Sequence, residues 1–425
     1  MLRILRGIGW SLLALVGLLV LAWLLARFWP LSAAQREQVR LLEDVQPLTG
    51  RNGFALLWTL PFDDLDSAQR EQALLNDVER WRAGPVQGMA ESLLEGTQPG
   101  VKAQSGLSCG SRSAGCLARV RADRQRYIDA HAGHAGLHAR QDQLADFDRF
   151  DSPFLAVADP LLMPVPPYLL LMEGGSAHAL AFVQGDTAGA LAGTCRSLQL
   201  GRRLMRGGGT LLDSMIGAAS VQVNAQLLAD MLVELPPDQS LPAVCDAALQ
   251  PLSTDEQSLC RAMQGEFALN ERAIEALLRQ GATVLMLDRT QTRARIAQNF
   301  AWACGTAAER TLVEDAPAPR SWEQPWDVRC LANWIGCTLA SINGPLYQQY
   351  AARNQDSAAL VRLLGAQRWL RQQPDAPAQA LARLPAQWRS PSRVPVLSAD
   401  GRHLQVPRRQ QDGTGELTTM LSVPL

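Results

Sequence analysis

Three histidines recur at positions 131, 134 and 138, a spacing of i, i+3 and i+7 that sets three imidazoles along one face of a continuous helix. Converging neutral imidazoles are ligands for zinc or copper, and Asp129, Asp142 or Asp146 could supply a fourth donor. Gly133 and Gly136 weaken the helix that would have to align the rings, and no cysteine ligand is near. A solvated joint between helices is the plainer reading. His131, His134 and His138 stand as metal candidates, with no cofactor predicted.

Ser108 lies at the centre of Gly-Leu-Ser-Cys-Gly, which matches the G-x-S-x-G pattern of hydrolase nucleophiles. That chemistry needs a buried strand before the serine and a helix after it, whereas a polar run precedes and a cysteine-bounded Gly/Ser-rich loop follows. Ser108 is a weak catalytic candidate. Ser176 and His178, just after Gly174 and Gly175, read as a helix break more than a catalytic pair. Gly207, Gly208 and Gly209 lack the Lys-Ser/Thr of a phosphate loop and read as a helix terminator. Trp322, Trp326 and Trp334 could stack on a sugar, although packing is the usual fate of such rings. Glu256, Glu266 and Glu271 share a helical surface with Arg261 and Arg272, as in a solvated ion-paired face.

Eight cysteines are compatible with disulfides only on the oxidising side of a membrane. Cys109 with Cys116 is the first expected pair, around a flexible loop, and Cys245 with Cys260 is the second. Cys330 and Cys337 fall in an apparent helix, where seven residues of rise separate them by about 10 Å, too far for a bridge. They are expected to bond to Cys195, to Cys304 or not at all. No Cys-x-x-Cys occurs, which argues against a zinc knuckle or a thioredoxin-like site.

The elements that must position these residues begin with residues 8–26, a run without charge that spans roughly 28 Å as a helix and matches a bilayer core. Arg3 and Arg6 precede it, and Trp10, Trp23 and Trp29 flank its ends, so the N-terminus is placed in the cytoplasm. A cleaved signal peptide ending near Ser32-Ala33-Ala34 is the competing reading, disfavoured by the length of the run and the bulky Phe28, Trp29 and Pro30.

Beyond the anchor, residues 53–61 are apolar, short and bounded by turn formers, which predicts a buried strand. Helices are predicted over 65–83, in one or two pieces over 117–150, and over 168–184, 186–205, 210–235, 253–280, 293–313, 326–353 and 358–371. The 186–205 and 210–235 helices form an αα-hairpin. The last forty residues change to β-type runs around Asp400-Gly401 and predict a small antiparallel sheet, which the 53–61 strand could join.

The expected fold is therefore mainly α: an anchor in 1–30, a multi-helix periplasmic domain in 31–384 with a possible sub-boundary at 151–167, and a β segment in 385–425 packed on it. A net charge of −1, from 40 basic and 41 acidic residues, gives no excess of positive charge to hold a phosphate backbone, and a nucleic-acid partner is not expected. Lys102 is the only lysine and carries no functional reading. The chain reads as a single-pass bacterial inner-membrane protein with its C-terminal domain in the periplasm. Its expected partners are the bilayer, through residues 8–26, and an envelope protein. The expected role is a binding, scaffold or assembly module. The alternatives are an envelope hydrolase or metal-dependent enzyme, and an accessory subunit of a transport or secretion complex.

Overall fold

The computed structural model describes residues 2–84, 92–104, 106–109, 115–154, 163–207, 209–279, 281, 285–319, 326–342, 347–410 and 420–425. The chain is mainly helical. Helix α1 (Leu2–Arg27) is exposed along most of its apolar length, as a helix without a polar face is when no protein covers it, and only its C-terminal end meets the domain. Ser32 then caps α2 (Ala33–Glu43) in a reciprocal capping box with Gln35.

Helix α3 (Phe54–Trp58) and helix α4 (Ser67–Ala83, capped by Asp66 and Gln69) pack together with Phe154. Three short helices follow, α5 (Cys116–Ala122), α6 (Arg124–His131) and α7 (Ala135–Leu144).

The centre of the domain is built from α8 (Tyr168–Val183), α9 (Thr187–Gly207) and α10 (Leu211–Glu234). The α9–α10 hairpin closes through glycines: a Cβ on Gly217 would lie 2.5 Å from the Met205 nitrogen and 2.7 Å from the Gly201 oxygen. Larger residues there would force the helices apart. Helix α10 is long and apolar enough to cross a membrane, yet 67% of its most apolar window is buried in the protein, as in a core helix.

Short helices α11 (Val244–Ala248) and α12 (Thr254–Gln257) lead to α13 (Cys260–Arg279), α14 (Arg289–Phe300), α15 (Gly305–Val313) and α16 (Trp334–Ile342). Helix α17 (Tyr347–Arg371) runs back through the core beside α10, and α18 (Pro377–Leu381) follows.

The chain ends in an antiparallel sheet of order β1 (Val396–Leu397), β2 (His403–Pro407) and β3 (Met420–Pro424). Leu404, Val406, Leu421 and Val423 alternate inward and join the main core against α10 and α17. Gly401, at φ +70°, supplies the left-handed residue of the β1–β2 turn.

A buried ion cluster pins this C-terminal layer. Arg393 forks onto Asp315 with two bonds of 2.9 Å, donates to Asp356 at 2.7 Å and to the Gln355 carbonyl at 2.8 Å. Asp356 also accepts from the backbone of Arg409 and Gln410. Burial opposes ionisation at Asp315, but the Arg393 fork and Ser390 outweigh it and hold that carboxyl below the usual range. Asp356 is pushed up by burial despite its bonds.

Four sequence expectations are corrected. Residues 53–61 are not a strand: α3 takes up 54–58, a turn follows to Pro61, and the segment is not part of the sheet. A short apolar run buried on all sides has no period to separate the two forms. The helix end is satisfied by Arg70 from α4, which donates to the Thr59 and Phe62 carbonyls. Cys245 pairs with Cys195 of α9, not with Cys260, which pairs with Cys304; the Cα separations are 5.1 and 4.7 Å. Cys330 and Cys337 bond to each other at a Cα separation of 5.8 Å, because a 3-10 turn (Val328–Leu331) stops before Asn333 and α16 begins anew. The predicted helices over 253–280, 293–313 and 326–353 are each broken into shorter pieces. Cys109 is joined to Cys116. All eight cysteines are paired, which with the apolar N-terminal helix marks an extracytoplasmic protein, secreted or membrane-anchored.

Candidate functional site

His131, His138 and His178 gather against the middle of α8, with His134 beside them at the N-cap of α7. Helix α6 ends at His131, Gly133 turns the chain at φ +77°, and α7 then carries His138 back under the end of α6. The His131 and His138 rings lie edge to face with centroids 5.1 Å apart. His178 enters from α8 against Gly193 of α9, where a Cβ would come within 2.4 Å of the ring. The glycine is what admits the imidazole.

The hydrogen bonds fix how the rings are used. Ser176 Oγ donates to the Glu173 carbonyl at 2.8 Å, so at 3.1 Å it accepts from His131 Nε2–H. Gln141 donates its Nε2 to the Leu170 carbonyl at 2.7 Å, which turns Oε1 toward His138 Nδ1 at 2.9 Å. His138 therefore carries its proton on Nδ1, and its Nε2 is a buried acceptor without a partner. His178 Nε2 meets Ser197 Oγ at 3.1 Å.

Burial, reinforced by the neighbouring imidazoles, lowers His131 to about 4. Burial, with His138 and then Arg196 nearby, lowers His178 to about 4, and burial lowers His138 as well. The buried rings are neutral at pH 7. Neutral rings in pairs are a packing arrangement as well as a ligand set. Among the described residues no group of three His, Cys, Asp or Glu side chains is disposed to hold a metal ion. Asp142, the nearest proposed fourth donor, pairs with Arg196 at 3.1 Å, and burial raises its carboxyl. Asp129 accepts from Gln125 instead.

Ser108 is exposed between buried Leu107 and Cys109, just before the disulfide loop and with no strand among the described residues leading into it. Ser176 does contact a histidine, but it is fully buried and its proton is committed to a backbone carbonyl, the reverse of an activated nucleophile. Gly207 ends α9, Gly208 lies outside the described residues, and Thr210 caps α10 with Asp213. Trp326 and Trp334 are exposed, and Trp322 lies outside the described residues. Glu256 pairs with Arg202 and Glu271 with Arg293, while Arg261 and Arg272 pair with Asp151 and Glu275, so the three glutamates, Glu266 included, are partly buried links between elements and not one solvated ion-paired face.

Two concave sites were not visible in the sequence, because their walls come from segments far apart in the chain. One, of about 370 Å³, has apolar walls that include Phe54, Phe154, Pro166 and Leu269, and polar groups Asp213 and Glu266. Burial pushes both carboxyls up. Asp213 is held by Thr210 and Tyr168, and Glu266 accepts from the Leu211 nitrogen at 3.1 Å, so both serve the N-terminus of α10.

The other is a groove of about 900 Å³ between the connector that leaves α1 and the α14 region. Trp29, Leu31, Trp302 and Val328 give it apolar walls, and Gln38 and Gln298 give it amides. Gln38 Oε1 is a buried acceptor without a partner. The only sequence signal for this groove was the position of the connector immediately after the apolar helix. Comparison of the chain with protein-family models, with curated proteins and with solved structures finds no match.

Proposed function

We propose that the chain is a membrane-anchored binding module of the bacterial envelope, acting as a scaffold or assembly factor that holds a polypeptide segment close to the periplasmic face of the inner membrane. The observation that carries this reading is the 900 Å³ groove on the connector that directly follows α1. A groove with aromatic walls and amide side chains suits a polypeptide, whose side chains are partly apolar and whose backbone groups can pair with amides such as that of Gln298. Retention of the anchor is supported by the fold of the competing cleavage site: Ser32, Ala33 and Ala34 form the capped first turn of α2.

A photoreactive residue in place of Gln298, in intact envelopes, tests the proposal against the same residue in place of Leu75, an exposed apolar position on α4. A crosslink to one defined protein from position 298 and none from 75 is the expected result. No polypeptide captured at 298, together with Ser108-dependent labelling by a fluorophosphonate, contradicts it and favours a hydrolase. Capture confined to position 18 in α1 favours an accessory subunit that associates through its anchor.

A further inference from the structure

We infer that the end of the domain carrying α1 is itself a membrane-contacting surface, with Leu285, Met286, Trp326, Leu331 and Trp334 seated in the headgroup region and upper acyl chains of the extracytoplasmic leaflet. The inference rests on the reading that α1 stays in the bilayer. It assigns to lipid two of the tryptophans that could otherwise stack on a sugar.

Depth is the first reason. The Trp23 indole N–H donates to the Leu285 carbonyl at 3.2 Å. Trp23 lies three residues before Ala26, about 4.5 Å inside the end of the apolar run at helical rise. A bilayer that takes up residues 8–26 therefore has the 285–288 turn at its edge. Leu285 is 70% exposed and Met286 53%, so the side chains that reach this level are largely open.

Rigidity is the second. Gln291, buried on α14, donates its side-chain amide to the carbonyls of Ala26 at 2.8 Å and Arg27 at 3.0 Å, groups that a helix C-terminus leaves without partners. Arg27 pairs with Asp288 at 3.2 Å and donates to the Leu287 carbonyl. The charge nearest the apolar run is thereby neutralised by the domain. Ala26 is fully buried. The helix and the domain meet as one body, so the domain cannot swing away from the membrane without breaking these bonds.

The third reason is that a second apolar segment is stapled to the first. Met286 accepts at its carbonyl from the Ile335 nitrogen at 3.0 Å. Asn333, fully buried, accepts at Oδ1 from the Asp288 nitrogen and from Thr292 Oγ1, both at 2.8 Å. The Cys330–Cys337 disulfide closes the loop between, and its 3-10 turn packs on α1. Leu331 and Trp334 lie within this closed loop and are 60% and 52% exposed. Tryptophan, with an apolar body and one N–H donor, suits the interface, and leucine suits the acyl chains just below it.

The test uses the full chain in vesicles of mixed zwitterionic and anionic phospholipid, with one introduced cysteine at a time: Leu285→Cys, Met286→Cys, Leu18→Cys in α1 and Leu75→Cys on α4. Because the native cysteines are all paired, a spin label reports only the introduced position. Relaxation by oxygen, which partitions into lipid, is compared with relaxation by a water-soluble nickel chelate. The expected result is an oxygen-to-nickel ratio several-fold higher at 18, 285 and 286 than at 75. A lipid-like ratio at 18 with ratios at 285 and 286 equal to that at 75 overturns the inference and leaves the anchor intact. A water-like ratio at 18 overturns the anchor reading and the inference with it.

Discussion

Two regions of this protein invert the usual distribution of polar and apolar groups, in opposite directions. Around α8 the fold buries imidazoles, with His178 7% exposed, while at the end of the domain that meets α1 it leaves indoles and leucines in the open. A buried polar group and an exposed apolar patch are the two observations that call for explanation. The histidines find theirs inside the protein: Ser176, Gln141 and Ser197 take up ring nitrogens, and Gly193 makes room. The exposed apolar residues find no partner inside it, and they lie where an apolar helix leaves the domain. The unusual histidine spacing is thus accounted for largely by packing, whereas the unremarked leucines and tryptophans of the anchor end mark a surface.

If buried polar groups carry the fold, the Arg393 cluster is where removing one costs most. Arg393→Ala removes the buried cation shared by Asp315 and Asp356, leaving them Ser390, Arg409 and backbone N–H groups, and is expected to destabilise by about 3–5 kcal/mol in urea unfolding. A loss below about 1 kcal/mol, the level of an exposed pair, would mean that the cluster is open to water.

Next in size is an acid effect. His131 and His178 sit near 4 in the fold against an ordinary 6.5, so between those values the unfolded chain binds more protons than the folded one. Their contribution is complete above pH 6.5 and is lost as the pH falls toward 4, on the order of 3 kcal/mol for buried His178. His178→Leu should flatten the unfolding free energy measured across this window. An unchanged slope would place the His178 ring in solvent.

The smallest effect belongs to the other region. Trp334→Ser should change stability in detergent by no more than about 0.5 kcal/mol, as exposed substitutions do. A loss of the size seen for a core tryptophan, about 3–5 kcal/mol, would show that the ring is packed and would remove the contrast between the regions.

How much of this was legible in the sequence depends on the range of the interaction involved. The apolar run at 8–26, the α9–α10 hairpin and the Asp400-Gly401 turn are written in adjacent residues, and the fold keeps them. Ser253 and Glu256 likewise announce their own helix start. The α3 segment could not be told from a strand, since five consecutive buried residues have no period. The cysteine pairs 195–245 and 260–304 join helices that sequence spacing does not bring together. The Cys330–Cys337 pair was hidden by reading one helix where a turn intervenes. His178 was the missing member of the histidine group. Only its place on α8, across from α6 and α7, puts it there, and no local motif announces it. The α10 pocket and the Arg393 cluster are assembled from distant segments and had no sequence signal, and the groove had only the position of its connector after the apolar helix.

The central claim is that the chain stays attached to the membrane by an uncleaved α1 with its domain on the oxidising side. Intact mass spectrometry of the chain extracted from membranes without reduction tests both parts at once. The account predicts a chain that still carries residues 8–26 and is lighter than its fully reduced form by the eight hydrogens lost to four disulfides. A chain that begins after Ala34, or one with the mass of eight free thiols, would contradict it.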